Sequence, residues 1–93
     1  MADKLSDSQV REKLADLEGW ALADGKLRRE FKFSDFVRAF GFMTSAAIEA
    51  EKLNHHPEWS NVYNKVTVNL VTHSAKGITE LDFKLAKKLD ALA

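Results

Sequence analysis

Hydrophobic residues recur at helical spacing near the start of the chain. Residues 6–9 (SDSQ) have the spacing of a capping box. Val10, Leu14 and Leu17 follow at intervals of three and four residues, which is the period of one helix face. The pattern predicts a first helix that runs to about Leu17 and stops at Gly19.

Two stretches that flank Asp24-Gly25 predict a β-hairpin. This dipeptide suits a two-residue turn, in which both central residues take positive φ. Residues 20–23 and 26–33 would form the strands, with Leu22 opposite Leu27. One face of the second strand would carry Leu27, Phe31 and Phe33, and the other Arg28, Glu30 and Lys32. Arg29, opposite Trp20, breaks this alternation.

A long helix is predicted from an N-cap at Ser34 to about Leu53. One apolar stripe consists of Phe36, Phe40, Met43, Ala47 and Ala50. Five more apolar residues lie off that stripe: Val37, Phe42, Ala46, Ile48 and Leu53. So broad an apolar surface exceeds what one sheet can cover, so part of the helix is predicted to pack against another subunit. The alternative is that the extra residues lie beneath the first or last helix.

The last third of the chain predicts two more strands and a helix. Residues 59–63 form a short candidate strand, and the alternating, β-branched stretch 66–73 a longer one. The helix-facing side of the longer strand would carry Val66, Val68 and Leu70, and the opposite side Thr67, Asn69, Val71 and His73. Residues 79–82 (TELD) then have capping-box spacing before a helix whose apolar side carries Leu81, Leu85, Leu89 and Leu92.

The order α-β-β-α-β-β-α predicts an α+β fold of two layers. Hairpins on either side of a helix favour a four-stranded antiparallel sheet with the three helices on one face. A chain of 93 residues is expected to form a single domain. Sparse glycine and proline, and the absence of repeats, support a single unit.

Charge and composition narrow the classes of function. Fourteen basic and fourteen acidic residues balance, which argues against direct nucleic-acid binding and against a membrane-surface role. The chain contains no cysteine and no apolar run near the ~20 residues that span a bilayer. We therefore expect a cytoplasmic protein without disulfides or a cysteine-rich zinc site.

Residues 51–59 read EKLNHHPEW and place two of the three histidines side by side. Histidine is the side chain whose unperturbed pKa lies near neutrality, so this concentration indicates proton chemistry or metal binding. The alternative is structural: an adjacent pair can simply add positive charge to the last turn of a helix that stops before Pro57.

Other polar residues at the ends of predicted elements complete a candidate site. His55 and His56 follow the long helix, His73 ends a strand, and Asp82 lies in the first turn of the last helix, so their side chains can converge on one pocket. Simpler interpretations remain open at this point. Asp82 fits a capping-box acid, His73 a solvated strand end, and Glu51 a surface partner of a lysine.

The residue types favour acid–base chemistry over other reactions. Three histidines without a thiol can build an open zinc site, but adjacent histidines chelate one ion awkwardly, so no metal is expected. The chain has no cysteine nucleophile, no serine in a recognisable nucleophile motif and no glycine-rich phosphate loop. General acid–base work on a small, planar, polar molecule is the remaining interpretation.

The spacing of these residues resembles the signature of the pterin-4a-carbinolamine dehydratase family. The signature reads Glu51, three residues, His55-His56-Pro57, five residues, Tyr63, nine residues, His73, eight residues, Asp82. The segments 38–44 (RAFGFMT) and 57–66 (PEWSNVYNKV) are also similar to this family, so the resemblance covers nearly the whole chain. Asn54 stands where some members have Asp.

The resemblance implies a single dehydratase domain over residues 1–93, and the acid–base chemistry expected of it requires no cofactor. Its substrate would be 4a-hydroxytetrahydropterin and its product quinonoid dihydropterin, in the recycling of tetrahydrobiopterin. The implied catalytic residues are His55, His56, His73 and Asp82. We expect His55 to act as acid at the hydroxyl and His73 as partner base. His56 would be an orienter or alternate acid, and Asp82 would orient or charge-stabilise one imidazole.

The resemblance also implies a set of pterin-binding residues and partners. The expected binding residues are Glu51, Asn54, Pro57, Thr72 and Ser74. The family suggests a homodimer or homotetramer assembled through sheet edges and the long helix. An alternative function is a protein-interaction role, as the dimerisation cofactor of a homeodomain transcription factor. The apolar surface around Phe42, Ala46 and Ile48 is compatible with either role.

Overall fold

A computed structural model of the protein describes residues 2–93 and has the predicted order of elements. The elements are α1 (Asp7–Leu14), β1 (Ala21–Ala23), β2 (Lys26–Lys32), α2 (Phe36–Leu53), β3 (Glu58–Val62), β4 (Lys65–Leu70) and α3 (Glu80–Leu92). A short 3₁₀ helix, His73–Ala75, lies between β4 and α3. The α+β prediction is confirmed. No helix within residues 2–93 is long and apolar enough to cross a membrane.

The sheet is antiparallel throughout, in the order β1-β2-β4-β3. Leu22 pairs with Leu27, and Asp24 and Gly25 both take positive φ (53° and 74°), so the first hairpin is confirmed. Central strand β4 pairs with both β2 and β3. Because β4 ends at Leu70, its chain leaves the sheet beside the start of β3.

The core lies between one face of the sheet and the helices. Strands β2 and β4 contribute Leu27, Phe31, Val66, Val68 and Leu70, and the helices contribute Val10, Ala39, Phe42, Ala46, Ala50, Phe83, Leu85, Ala86 and Leu89. The predicted helix-facing side of β4 is therefore confirmed, but the prediction that the strand extends to His73 is wrong, because β4 ends at Leu70 and His73 starts the 3₁₀ helix. Arg28 and Glu30, on the opposite face of β2, are exposed. That open face of the sheet is polar.

Two predicted helix boundaries are wrong. The first helix ends at Leu14, and Leu17 is buried in the turn that follows it. The N-cap of α2 is Asp35 instead of Ser34, because the Asp35 carboxylate accepts a hydrogen bond from the Arg38 backbone N–H at 2.8 Å. Both capping boxes are confirmed, at the start of α1 and of α3.

Only part of the predicted apolar stripe of α2 faces the core, because Ala50 is buried and Met43 packs against the core. The buried residues of this helix are Ala39, Phe42, Ala46 and Ala50, and Phe42 packs against the rings of Phe31 and Phe33. Phe36 and Phe40, assigned to the stripe, are exposed, as are Val37 and Ile48. The interpretation of Phe42 and Ala46 as an external binding surface is therefore wrong. A helix with apolar residues on several sides does not reveal by periodicity which side the sheet covers.

Arg29 lies on the helix-facing side of β2, where alternation calls for an apolar residue. Its Nη1 donates to Asp90 Oδ1 on α3 at 2.7 Å, and the indole Nε1 of Trp20 donates to the same oxygen at 2.9 Å. The guanidinium carbon also lies 4.4 Å from the centre of the Phe31 ring. These contacts let a charged residue occupy an otherwise apolar face.

Candidate active site

The two histidines that follow α2 lie in different environments. Asn54 takes a left-handed conformation (φ 49°), which asparagine tolerates better than most residues and which ends the helix. The His55 N–H then donates back to the Ala50 carbonyl at 3.1 Å. His55 is buried, with 8% of its surface exposed, whereas the side chain of His56 is 60% exposed.

Asp82 is fully buried and uses both carboxylate oxygens. As predicted from the capping box, Oδ2 accepts the Thr79 backbone N–H at 2.9 Å. Oδ1 contacts Nε2 of His55 at 2.5 Å. The helix-capping and histidine-orienting interpretations of Asp82 are thus compatible, because each employs a different oxygen.

Two buried threonines hold the other side of the Asp82 carboxylate. Thr72 Oγ1 donates to Asp82 Oδ2 at 2.9 Å and lies 2.8 Å from Thr79 Oγ1. Because the single hydroxyl proton of Thr72 is used on Asp82, Thr79 must donate to Thr72. Thr79 Oγ1 in turn accepts the Leu81 N–H at 3.2 Å. Asp82 Oδ2 therefore accepts two hydrogen bonds, one from the Thr72 hydroxyl and one from the Thr79 N–H.

The buried pair leaves one nitrogen of His55 accessible. An ionised carboxylate only accepts, so Nε2 of His55 carries the proton that faces Asp82. Nδ1 makes no hydrogen bond within residues 2–93, and no buried side-chain nitrogen or oxygen of those residues lacks a partner. Nδ1 must therefore reach solvent. It can accept a proton when the ring is neutral and donate one when the ring is charged.

His56 belongs to an exposed pair beside a cavity. Its Nε2 lies 2.7 Å from Glu51 Oε1, and both side chains are largely exposed. A cavity of about 660 Å³ opens between α2 and the start of β3, within the size range of small-molecule sites. Its lining residues are Ala47, Ile48, Ala50, Glu51, Lys52, His56, Pro57 and Trp59. Of the three histidines, only His56 lines it.

His73 starts the short 3₁₀ helix and pairs with a carboxylate on β3. Its side chain is 76% exposed, and Nε2 lies 2.8 Å from Glu58 Oε2. The other oxygen of Glu58 accepts from Lys26 Nζ at 2.5 Å. The Lys26 ammonium and, to a smaller extent, His73 lower the pKa of the Glu58 carboxyl below its usual value. Glu58 is thus held as an anion between two donors.

Each predicted catalytic histidine therefore has a carboxylate partner of its own. His55 pairs with Asp82, His56 with Glu51 and His73 with Glu58, and no hydrogen bond within residues 2–93 joins one imidazole to another. The segments that carry them are neighbours, because Thr72 and His55 share Asp82. Within the same described residues, no group of three or more His, Cys, Asp or Glu side chains could hold a metal ion.

The predicted binding residues lie in different surroundings. Pro57 and Glu51 line the cavity, and Asn54 and Ser74 are exposed at a helix end and in the 3₁₀ helix. Thr72 is different, because its hydroxyl is bonded to Asp82 and its N–H donates to the Gly77 carbonyl at 3.0 Å. Its polar groups are engaged within the fold, which makes it a support for Asp82.

Sequence reasoning missed Glu58, Thr79 and Trp59 as members of this region. Glu58 follows the histidine pair after Pro57, and period-two alternation from β3 would have placed it on the polar face of the sheet beside Asn69. Thr79 was recognised only as a helix cap. Trp59, on the opposite face of β3, lines the cavity. Only the strand alternation offered a usable signal for Glu58 and Trp59.

Comparison with known proteins identifies the family to which the chain is related. The family model described as pterin 4 alpha carbinolamine dehydratase matches residues 3–92. A protein from Solibacter usitatus, provisionally named a pterin-4-alpha-carbinolamine dehydratase, is 58% identical over 100% of this chain and 98% of its own length. A protein of the same provisional name from Brucella ovis is 54% identical over 98% of this chain and 96% of its own length.

A solved structure extends the similarity to the fold. The crystal structure of a Brucella melitensis protein, described as a transcriptional coactivator/pterin dehydratase, superposes with a TM-score of 0.94 at 54% identity. The similarity covers 98% of this chain and 99% of that one. The family expected from the histidine signature is confirmed, and the chain belongs to the pterin 4 alpha carbinolamine dehydratase family.

Proposed function

We propose that the protein converts 4a-hydroxytetrahydropterin to quinonoid dihydropterin and water by histidine acid–base catalysis, within tetrahydrobiopterin recycling. Family membership supports the substrate class and the reaction. The observation that carries the catalytic proposal is the buried Asp82–His55 pair, whose outer ring nitrogen reaches solvent. The cytoplasmic location stays a prediction.

The reaction requires two proton transfers. The 4a-hydroxyl leaves as water when its oxygen receives a proton and its bond to C4a breaks. The bonding electrons needed for the new ring double bond come from a ring nitrogen that loses a proton. One proton is delivered and one is removed, so the sum is neutral, and a general acid and a general base suffice.

His55 is the proposed acid. In its charged form Nδ1–H donates to the leaving oxygen, while Asp82 accepts from Nε2–H. The anion behind the ring stabilises the charged imidazole before transfer and holds the ring in one orientation. The threonine hydroxyls keep Asp82 itself in place, so the acid sits on a rigid, fully hydrogen-bonded support.

His73 is the proposed base, and His56 the orienter or alternate acid. His73 directs Nε2 to Glu58, which leaves Nδ1 to take the proton from the ring nitrogen. His56 and Glu51 border the cavity between α2 and the start of β3. Asn54 and Ser74 are exposed and adjacent in sequence to His55 and His73, so they are available for polar contacts with the pterin.

The test is the rate of quinonoid dihydropterin formation from freshly generated 4a-hydroxytetrahydropterin. The wild type should accelerate dehydration, and His55→Gln and His73→Ala should each lower kcat by roughly 10² to 10⁴. Gln can still donate to Asp82 but cannot transfer a proton. Lys87→Gln, on the exposed side of α3, is the control and should keep the wild-type rate. A loss below about threefold in both histidine variants would overturn the catalytic assignment.

We also propose that the protein assembles with copies of itself through the outer face of α2. Four large apolar side chains on that helix are exposed: Phe36, Val37, Phe40 and Ile48. An apolar patch of this kind marks an interaction surface. Light scattering should give the mass of a dimer or tetramer for the wild type and a smaller species for Phe40→Ser. A monomeric wild type would contradict assembly.

The same face supports the second candidate function, binding of a transcription factor. The solved Brucella melitensis relative is described as a transcriptional coactivator as well as a pterin dehydratase. Two results together would favour this role over the enzymatic one. The wild type would bind a transcription factor without showing dehydratase activity, and Phe40→Ser would abolish that binding.

A further inference from the structure

Glu58 is the acidic residue of this region that the acid–base scheme leaves without a role. Its carboxylate lies between His73 Nε2, at 2.8 Å from Oε2, and Lys26 Nζ, at 2.5 Å from Oε1. Glu58 begins β3 and Lys26 begins β2, and these strands lie on either side of β4. The ion pair therefore reaches across the end of the central strand, just before the chain turns into His73.

We propose that Glu58, anchored by Lys26, is a positioning residue that orients the imidazole of His73 for proton transfer. The inference rests on the proposed function, because it assumes that His73 acts as a base. It adds two residues, Glu58 and Lys26, to the machinery of the site.

The surroundings of His73 give the reason why such a support is needed. His73 starts a 3₁₀ helix of three residues and its side chain is 76% exposed, so packing does not restrict its rotamers. A base must be held within hydrogen-bond reach of the proton that it removes. The bond from Nε2 to Glu58 restricts the ring, fixes the proton on Nε2 and leaves Nδ1 unprotonated as the base.

Lys26 holds the carboxylate of Glu58 in place, as Thr72 and Thr79 do for the carboxylate of Asp82. Its ammonium contacts the oxygen that His73 does not use, so the carboxylate is held from both sides. This ammonium is also the main reason why the pKa of Glu58 is lowered, so the carboxylate stays charged to a lower pH than an ordinary glutamate. Charge-assisted hydrogen bonds of this kind are stronger than neutral ones.

If the Lys26–Glu58 pair had a purely structural role, its loss would lower the stability of the fold. Both side chains are more than 30% exposed (33% and 39%), and exposed ion pairs contribute little to stability. Variants at Glu58 should therefore fold normally. Effects on turnover can then be separated from effects on folding.

The experiment compares Glu58→Ala, Glu58→Gln and the control Glu30→Gln in the dehydration assay. Glu58→Ala should lower kcat roughly 10- to 100-fold, by analogy with the loss when the hydrogen-bond partner that orients a metal-bound imidazole is removed. KM should change less, because in its proposed role Glu58 acts through His73 and not on the pterin itself. Glu58→Gln keeps an oxygen that accepts from Nε2 and should recover part of kcat. Glu30 lies on the same polar face of the sheet and its variant should behave as wild type.

A second readout does not depend on turnover. The ¹³C-relaxation order parameter of the His73 ring Cε1–H bond should fall in Glu58→Ala and stay unchanged in Glu30→Gln. A kcat within about twofold of wild type in Glu58→Ala, or an unchanged ring order parameter, would overturn the inference. A wild type that does not accelerate dehydration would overturn the proposed function instead. The order parameter would still distinguish a Glu58 that holds His73 from one that does not.

Discussion

The region around His55 and the region around His73 contain the same chemical pair in two environments. His55 and Asp82 have side chains that are 9% and 0% exposed, whereas His73 and Glu58 are 76% and 39% exposed. Asp82 is supported by a backbone N–H and a buried hydroxyl, and Glu58 by one lysine at the surface. The distances are similar, at 2.5 Å and 2.8 Å.

The comparison shows that distance alone does not reveal what an imidazole–carboxylate pair contributes. In the buried pair, each group depends on the other because water cannot replace a lost partner. In the exposed pair, water can replace either group, so little stability depends on the contact. The first pair is expected to matter for folding and catalysis, and the second for catalysis with little effect on folding.

Asp82→Ala should have the largest effect on stability. It leaves His55 Nε2 without a partner and the Thr72 hydroxyl without its acceptor, and it removes the Asp82 half of the capping box of α3. We expect the free energy of unfolding to fall by about 3 to 5 kcal/mol, as measured by urea denaturation. Glu58→Ala is the matched change in the exposed pair. Equal losses in the two variants would remove the distinction between the two regions.

The second-largest effect should be the pH dependence of the stability that Glu58 contributes, which acid titration measures. Its pKa is lowered in the folded state by Lys26 and His73, from a usual value of 4.5. The folded form thus disfavours the proton, so the stabilisation is present above the unfolded pKa and is lost as pH falls through the lower folded pKa. The difference in unfolding free energy between wild type and Glu58→Gln should therefore shrink as the pH falls below the usual glutamate value of 4.5 and through the lower folded pKa.

Two controls sharpen this titration. High salt should reduce the difference, because the pair is exposed and screened. Glu30→Gln, on the same sheet face, should not reproduce the pH dependence. A difference between wild type and Glu58→Gln that is constant with pH would contradict the effect of Lys26 on Glu58.

The pair of His56 and Glu51 should give the smallest effect. Both side chains are exposed, at 60% and 77%, although their atoms approach to 2.7 Å. A double-mutant cycle with His56→Ala and Glu51→Ala should give a coupling energy below about 0.5 kcal/mol in unfolding experiments. A coupling energy above about 2 kcal/mol would show that this exposed pair behaves like the buried pair of His55 and Asp82.

Most of the fold was predictable because local patterns agreed with one another. Capping boxes, the Asp24-Gly25 turn and the alternation of Val66, Val68 and Leu70 each indicated an element that the structure contains. Helix α2 was harder, because its apolar residues lie on several sides. Ala39 and Phe42 face the sheet, whereas Phe36 and Phe40 do not.

The residue types of the site were predictable from the sequence, but the carboxylate partner of each histidine was only partly so. The spacing from Glu51 to Asp82 identified the family, and comparison confirmed it. The partner of His73 was missed, because Glu58 lies fifteen residues earlier and meets it only across the β3–β4 edge. Thr79, noticed as a cap, proved also to supply the hydroxyl behind Thr72.

The sequence by itself determined the order of elements, the hairpin turn, the helix caps and the histidine signature, since all of these depend on neighbours within a few residues. Tertiary structure decided which face of α2 is buried and why His55 is enclosed while His56 is open. It also assigned Asp82, Glu51 and Glu58 to their respective histidines. The physical reason is that burial and long-range hydrogen bonds depend on which surfaces meet, and local periodicity carries no information about the partner surface.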